Sequence, residues 1–379
     1  MINHSALREQ NIEIGIAATL EEKMEIYRFR YRIYAEEISF KLVSADHDKK
    51  LLYDKLDEWG LLLYAKLGRE IVGTGRVNIG KFSDFPPELV NAFRMEKFMN
   101  FYKDTDDYNF AFASKGMIAP SYRSSPAHNL LMAKVYEIYG KNKVQFAFIN
   151  CNFHLIPLHE YYGSQRLKKN ILDPNLGPMA SFVLLVNDIN HLQAVHSPFL
   201  HLAHKRKTLR SQKSIKWFYE EFAEILDNTV NSQLVTQDEL WAILGDRLGY
   251  KPNKSLSILH GLSATEARKF LHCCGIIVQC DAGDYITSRN DVSQELNILL
   301  SGKVQPACVV PGQHFGEIGL VNRTKHTANI IAATDAEILV LSFHYFRKFR
   351  LNYPSIANKI LKNCQKLFSP YGNTASEKQ

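Results

Sequence analysis

The sequence predicts an α+β protein: a mixed sheet flanked by helices, then a helical connector, then a small β-roll with helices of its own. Three observations carry this expectation. Strand-like and helix-like hydrophobic patterns alternate over residues 11–190. The pattern becomes helical and basic over 191–262. From Ser263 onward, short apolar runs are punctuated by glycines, the mark of closely spaced strands and turns. A chain of 379 residues also exceeds one ordinary core. The expected divisions are therefore 1–190, a connector at 191–262, the β-roll at 263–370 and a tail at 371–379.

Taken in order, residues 12–17 read as a strand. Residues 21–37 read as a helix, with Met24, Tyr27, Tyr31 and Tyr34 at three-to-four spacing. Residues 61–67 and 70–79 pair around the turn Leu67-Gly68-Arg69-Glu70. A proline-started helix follows at 86–98 and a strand at 110–119. Ser125 is expected to cap a helix with Pro126 in its first position, where a missing N–H costs nothing. Leu130, Leu131, Ala133, Val135 and Ile138 form its apolar face. Then come a strand at 144–150, a short helix at 154–162 ended by Gly163, and a strand at 180–186. In the C-terminal part, a helix at 264–273 precedes strands at 276–278, 285–286, 296–300 and 328–332, with two helices near Tyr345 and Ile356.

The composition, 46% hydrophobic and 22% charged, is that of a globular protein. The first ten residues lack the apolar run of a signal peptide, and no stretch is long and apolar enough to span a membrane. Six cysteines without Cys-x-x-Cys spacing argue against a zinc site or a disulfide framework, and His201 and His204 have no companion ligands, so no metal is expected. A cytoplasmic location fits this usage. The net charge of +7 is concentrated: no acid occurs between Asp188 and Glu220, where Lys205, Arg206, Lys207, Arg210, Lys213 and Lys216 cluster. Such a block suits nucleic acid, an anionic membrane surface or an acidic carrier protein, or is simply a solvated face. Without a helix-turn-helix after the β-roll, no DNA partner is expected.

The β-roll carries the run Pro311-Gly312-Gln313-His314-Phe315-Gly316-Glu317-Ile318-Gly319-Leu320, with His326-Thr327-Ala328 following nine residues after Glu317. Gly316 allows close backbone approach, Glu317 is placed to accept from sugar hydroxyls, and a helical turn behind it would aim N–H groups at an anion. Together with Gly283-Asp284-Tyr285-Ile286 and Leu300-Ser301-Gly302-Lys303-Val304, this resembles the phosphate-binding cassette of cyclic nucleotide-binding domains. The resemblance implies cAMP or cGMP bound by Phe315, Gly316, Glu317, His326 and Thr327. The family's phosphate-pairing Arg is replaced by His326, and a neutral imidazole does not match a bidentate guanidinium. A purely structural β-roll is the alternative.

The first 190 residues carry Phe29-Arg30-Tyr31-Arg32, Tyr53-Asp54-Lys55-Leu56-Asp57, Val72-Gly73-Thr74-Gly75-Arg76, Ser114-Lys115-Gly116-Met117 with Pro120-Ser121-Tyr122-Arg123, and Ile156-Pro157 with Tyr162-Gly163. These segments resemble the GNAT acyltransferase fold, and within it N-acyl amino acid synthases and acyl-homoserine-lactone synthases. The resemblance implies acyl transfer from acyl carrier protein (acyl-ACP) or acyl-CoA to a small amine or amino acid. Arg30 and Arg76 would hold the acceptor carboxylate, Arg123 the donor's phosphate, and Lys115, standing where the lactone synthases carry an Arg on the central strand, would bind substrate. Asp54 or Asp57 would orient or deprotonate the amine, and His159 would serve as general acid. The glycine-free turn after Arg123 favours a carrier protein over free coenzyme A. The lactone synthases' upstream Glu has no counterpart in 110–114, so N-acylation is expected rather than lactone formation. The plainer alternatives are a surface Arg30, a turn capped by Asp54 and Asp57, a solvated Arg123 and a packing role for His154 and His159. A rival reading of the whole chain is a non-catalytic signalling or scaffold protein responsive to a cyclic nucleotide.

Overall fold

The computed structural model describes residues 11–38, 42, 45–123, 125–205, 212–321 and 324–368. Arg206, Lys207 and Arg210 of the basic block, Arg323, the first ten residues and the tail lie outside them. The chain forms two compact units. The first comprises 1–150, 159–167 and 181–228; the second comprises 151–158, 168–180 and 229–379. The helical connector is thus shared, 191–228 counting with the first unit and 229–262 with the second.

The elements of the first part are β1 (Glu13–Ile16), α1 (Leu20–Tyr31), β2 (Leu61–Leu67), β3 (Glu70–Gly80), α2 (Pro87–Phe93), α3 (Met95–Tyr102), β4 (Phe110–Ile118), α4 (Ala127–Lys141), β5 (Phe146–Asn152), α5 (Ile156–Tyr161), β6 (Ser164–Asp173) and β7 (Gly177–Leu185). Their sheet has the order β1-β2-β3-β4-β5-β7-β6. Pairing is antiparallel from β1 to β4 and parallel between β4 and β5. Helices α6 (Ile189–Ala194), α7 (Leu200–Lys205), α8 (Gln212–Glu221) and α9 (Ala223–Asn228) complete the first unit.

Local chemistry explains most of these boundaries. Thr19 and Glu22 form a reciprocal capping box at the start of α1, satisfying N–H groups that have no helical partner. The predicted helix at 21–37 continues past Tyr31, but as a π-helix over Arg32–Glu37. One apolar cluster joins Ile26, Phe29 and Ile33 to Leu62, Tyr64 and Met117, so α1 is seated on the sheet by its apolar side chains.

Three expectations need correction. The single helix at 86–98 is two, because Arg94 adopts a left-handed φ of 50° between α2 and α3. Pro126 precedes the helix instead of opening it; the Ser125 hydroxyl accepts from the Ala127 N–H at 3.3 Å and donates to the Tyr122 carbonyl. β6 was not anticipated: its lysines at 168 and 169 are exposed, so the residues lack the apolar alternation of a half-buried strand.

The second unit adds α10 (Gln237–Leu248), α11 (Pro252–Ser255), α12 (Ala264–Cys274), β8 (Gly275–Cys280), β9 (Tyr285–Thr287), β10 (Glu295–Ser301), β11 (Val304–Gln305), β12 (His314–Phe315), β13 (Ile330–Ala332), β14 (Ala336–Ser342), α13 (Phe343–Asn352) and α14 (Pro354–Phe368). Two sheets, β12-β10-β14-β8 and β11-β13-β9, make the roll. Capping boxes at Thr236/Glu239 and Ser263/Glu266 start α10 and α12. The core joins Leu240 and Leu244 to Phe270, Leu296, Leu339, Phe346 and Ile360. The segments 151–158 and 168–180 are integral to this unit. Asn170 Nδ2 donates to the Gln279 carbonyl at 2.7 Å, Lys168 pairs with Asp281 at 2.9 Å, and the Ser342 hydroxyl donates to the His154 carbonyl at 3.2 Å. The helical turn expected behind Glu317 does not form; residues 316–321 make a bend and a turn.

Candidate functional site

In the first unit a bulge in the β3–β4 pair organises the charged residues. Thr74 pairs with Met117 and Arg76 with Ser114, so Lys115 and Gly116 lie opposite Gly75, and Lys115 takes a φ of 55°. On the other side of the network a short 3-10 turn over Lys55–Asp57 is capped reciprocally. The Leu56 N–H donates to Asp54 and the Asp54 N–H donates to Asp57 at 2.9 Å.

These elements bring five of the sequence-predicted residues together. Arg30 Nη1 pairs with Asp57 Oδ1 at 2.7 Å, and Arg76 Nη1 approaches the same oxygen at 3.1 Å. Arg76 also donates to Asp54, and its Nε donates to the Ser114 hydroxyl at 3.0 Å. Lys115 Nζ lies 3.6 Å from Asp54 Oδ2. The network is layered by exposure: Arg30 is 0% exposed, Arg76 and Asp57 each 2%, Lys115 12% and Asp54 33%. Arg30 is therefore no surface charge, and its Nε and Nη2 have no hydrogen-bond partner. Asp54 and Asp57 do cap a turn, as the plainer alternative held, and they carry the ion network as well.

Burial favours a neutral Asp54 and so raises its pKa. The charges of Arg76 and Lys115 outweigh this and hold the carboxyl below its ordinary value. Burial pushes the Arg30 guanidinium below its ordinary pKa despite Asp57. Past the pairs Phe110↔Phe146 to Ala113↔Ile149, β4 continues to Ile118 without further pairing to β5, which leaves backbone N–H and C=O groups on that edge.

The other two predicted residues stand apart from these five. Arg123 pairs with Glu37 at 2.6 Å and donates through Nε to the Ile118 carbonyl at 3.1 Å. His159 lies against Phe182, and its Nδ1 has no partner. Burial, with His128 nearby, lowers its pKa to about 4. The associated group was not identified from sequence: Tyr162 donates to Asn129 Oδ1 at 2.5 Å and contacts His128 Nδ1 at 3.0 Å. His128 and Asn129 are sequence neighbours that meet Tyr162 from 34 and 33 positions away, so no local pattern signals the group.

In the second unit the cassette is closed on itself. Gly316, following buried Phe315, has a φ of 73°, in the left-handed region that favours glycine. Glu317 accepts from the Thr327 N–H at 2.8 Å and the Thr327 hydroxyl at 2.5 Å through Oε1, while Oε2 lies 2.7 Å from His326 Nδ1. His326 is buried, and its Nε2 is 3.6 Å from Glu295 Oε1. The Gly319 N–H, which would have faced an anion, donates to the Glu295 carbonyl at 2.8 Å. Burial opposes the His326 charge, but Glu295 and Glu317 prevail and raise its pKa; both carboxyls are held below their ordinary values.

Residues 277–353 match the cyclic nucleotide-binding domain family. No curated protein matches the chain. Among solved structures, the chain is similar to FeeM, an N-acyl amino acid synthase from uncultured soil microbes, at 10% identity over 51% of this chain and 98% of that one (TM-score 0.39). It is similar to BjaI, a CoA-dependent acyl-homoserine lactone synthase, at 16% identity over 56% and 90% (TM-score 0.36). The second unit is similar to a cyclic nucleotide-binding domain from Methylobacillus flagellatus at 19% identity over 33% and 76% (TM-score 0.29). Among the described residues no group of His, Cys, Asp or Glu is arranged to hold a metal ion, and no helix is long and apolar enough to cross a membrane.

Proposed function

We propose that the first unit is an N-acyltransferase that moves an acyl group from a thioester, carried by acyl carrier protein or coenzyme A, to the amine of a small acceptor bearing a carboxylate, an amino acid. The observation that supports this most is the layering of the charged network. Buried Arg30, Arg76 and Asp57 form a fixed base, and the two more accessible members, Asp54 and Lys115, have opposite charges 3.6 Å apart. Lys115 takes the acceptor's carboxylate and Asp54 its ammonium, which matches the two ends of an α-amino acid.

The acceptor's ammonium first loses a proton to water, and the neutral amine attacks the thioester carbonyl. The N–C bond forms, the C–S bond breaks, and the proton shed by the new amide nitrogen passes to the departing thiolate. A carboxylate held below its ordinary pKa is a weak base, so Asp54 orients the amine rather than deprotonating it. N–H groups on the open edge of β4 are suited to the developing oxyanion. His159, neutral above about pH 4, is assigned to packing, since an imidazolium is not available near neutral pH. A donor phosphate at Arg123 competes with Glu37. In the second unit, a cyclic nucleotide must displace the contacts His326 and Thr327 make with Glu317, so we assign the cassette a closed, ligand-independent state.

The test is release of free thiol from acyl-ACP and acyl-CoA donors, with mass spectrometry of the products. Thiol release that depends on an added amino acid, with the matching N-acyl product, is the expected result. Release that is absent with every amino acid across both donors refutes the proposal.

A further inference from the structure

The cassette's internal network has a position no bound ligand would need. His326 contacts Glu317 from its own turn and Glu295 from β10. Its backbone N–H donates to the Asp291 carbonyl at 2.8 Å, and its carbonyl accepts from the Asn290 N–H at 2.8 Å. Two of these residues, Glu295 and Asp291, touch segments that join the second unit from the middle of the chain. Glu295 Oε2 lies 3.8 Å from His154 Nδ1 in 151–158. The Asp291 carboxylate packs on Gly177 in 168–180 so closely that a Cβ there would sit 2.2 Å from Oδ2. Gly177 also has a φ of 73°, in the left-handed region that favours glycine.

We propose that Glu295, His326 and Glu317, with Asp291 held by the His326 N–H, form a latch that fastens segment 151–158 through Glu295 and segment 168–180 through Asp291 to the β-roll, with the His326 imidazole standing where the family places a ligand-pairing group. Closed, the latch fixes the end of β5, the chain entering α5 and the outer part of the β6–β7 hairpin. Open, it frees them together with the cassette turn. The ionisable groups around His326 are Glu317, Glu295 and Asp291, with His154 beyond Glu295 and Asp173 beyond Asp291. Carboxylates predominate on this side, so the charged imidazole closes the latch and the neutral one weakens it.

Hydrogen exchange of the full chain, read by mass spectrometry without any substrate, tests this. A failed latch and a failed acyl transfer are therefore separate results. His326→Gln and Glu295→Gln each remove one charge and keep much of the side-chain shape. In both, exchange in 151–158 and 168–180 is expected to rise about tenfold or more along with 314–321, the range that loss of a charge-assisted hydrogen bond implies. Protection in β2 and β3 is expected to stay unchanged. Faster exchange confined to 314–321, with both inserted segments as protected as before, overturns the proposal. The unmutated protein provides the same test if a variant fails to fold. Raising the pH through the His326 titration must lower the protection factors of all three segments together, and loss at 314–321 alone refutes the latch.

Discussion

Asp57 is the residue on which the buried half of the acyl-transfer network depends. Its carboxylate lies 2.7 Å from Arg30 and 3.1 Å from Arg76, and both guanidiniums are almost fully enclosed. Asp57→Asn keeps the shape and can still accept the Asp54 N–H at 2.9 Å, so it isolates the charge. Breaking a buried pair on one side leaves an uncompensated charge and costs about 3–5 kcal/mol. At a denaturant slope of about 2 kcal/mol per molar, the urea midpoint of the first unit falls by about 2 M. Trp59, two residues away, and Trp217 both lie in that unit and report its transition by fluorescence. Adding Arg30→Met removes the stranded charge, and the double variant is expected to regain more than half of the loss. A cost below about 1 kcal/mol for Asp57→Asn, or strict additivity in the double variant, refutes this view of the network.

Other consequences follow from the same structure. Lys115→Met raises KM for an amino-acid acceptor about tenfold or more and leaves an amine without a carboxylate unaffected, as paired acceptor kinetics will show. Because the folded pKa of His326 is raised, its contribution to stability is complete below its ordinary value near 6.5 and is lost as the pH rises through the folded value. Glu295 and Glu317, lowered in the fold, contribute above the ordinary carboxyl range and lose that contribution as the pH falls through their folded values. The second unit should therefore melt highest at about pH 5–6 by calorimetry, and a melting temperature that is flat up to pH 9 contradicts this. Calorimetric titration of the full chain with cAMP and cGMP gives no heat at micromolar concentrations, since Glu317 is already occupied. Arg94→Gly relieves a left-handed φ of 50° and stabilises the first unit by about 0.5–1 kcal/mol in urea melts.

The strand and helix order was legible because apolar side chains repeat at the period of the element they build, as in β2, β3 and α4. Charged strands escape that logic: β6 shows Lys168 and Lys169 on its exposed positions, and its order comes from pairing with β7 and from partners distant in sequence, such as Gln279 and Asp281. Arg94 escaped because nothing in its chemistry announces a left-handed residue inside an otherwise periodic run. The residues of the charged network were individually visible, but which of them face outward was not. Arg30 looks like a surface residue on α1 until Asp57, 27 positions later, folds against it. At the cassette the missing Arg was plain, whereas the occupant of its place was not. Glu295 lies far upstream of His326 in the sequence and meets it only through the pairing of β10 with β12 and the turn that follows.

The division of the chain bears on how the two units can be taken apart. The polypeptide leaves the first unit at 150, returns at 159, leaves at 167, returns at 181 and departs finally after 228. Such a path does not allow modular exchange. A cut at 228 strands Lys168 and Asn170 without their partners and strips His154 and Gly177 of the residues packed on them. Transplanting the C-terminal portion onto another enzyme would carry away only part of a folding unit. Recombination that swaps the C-terminal part must also supply the two inserted segments.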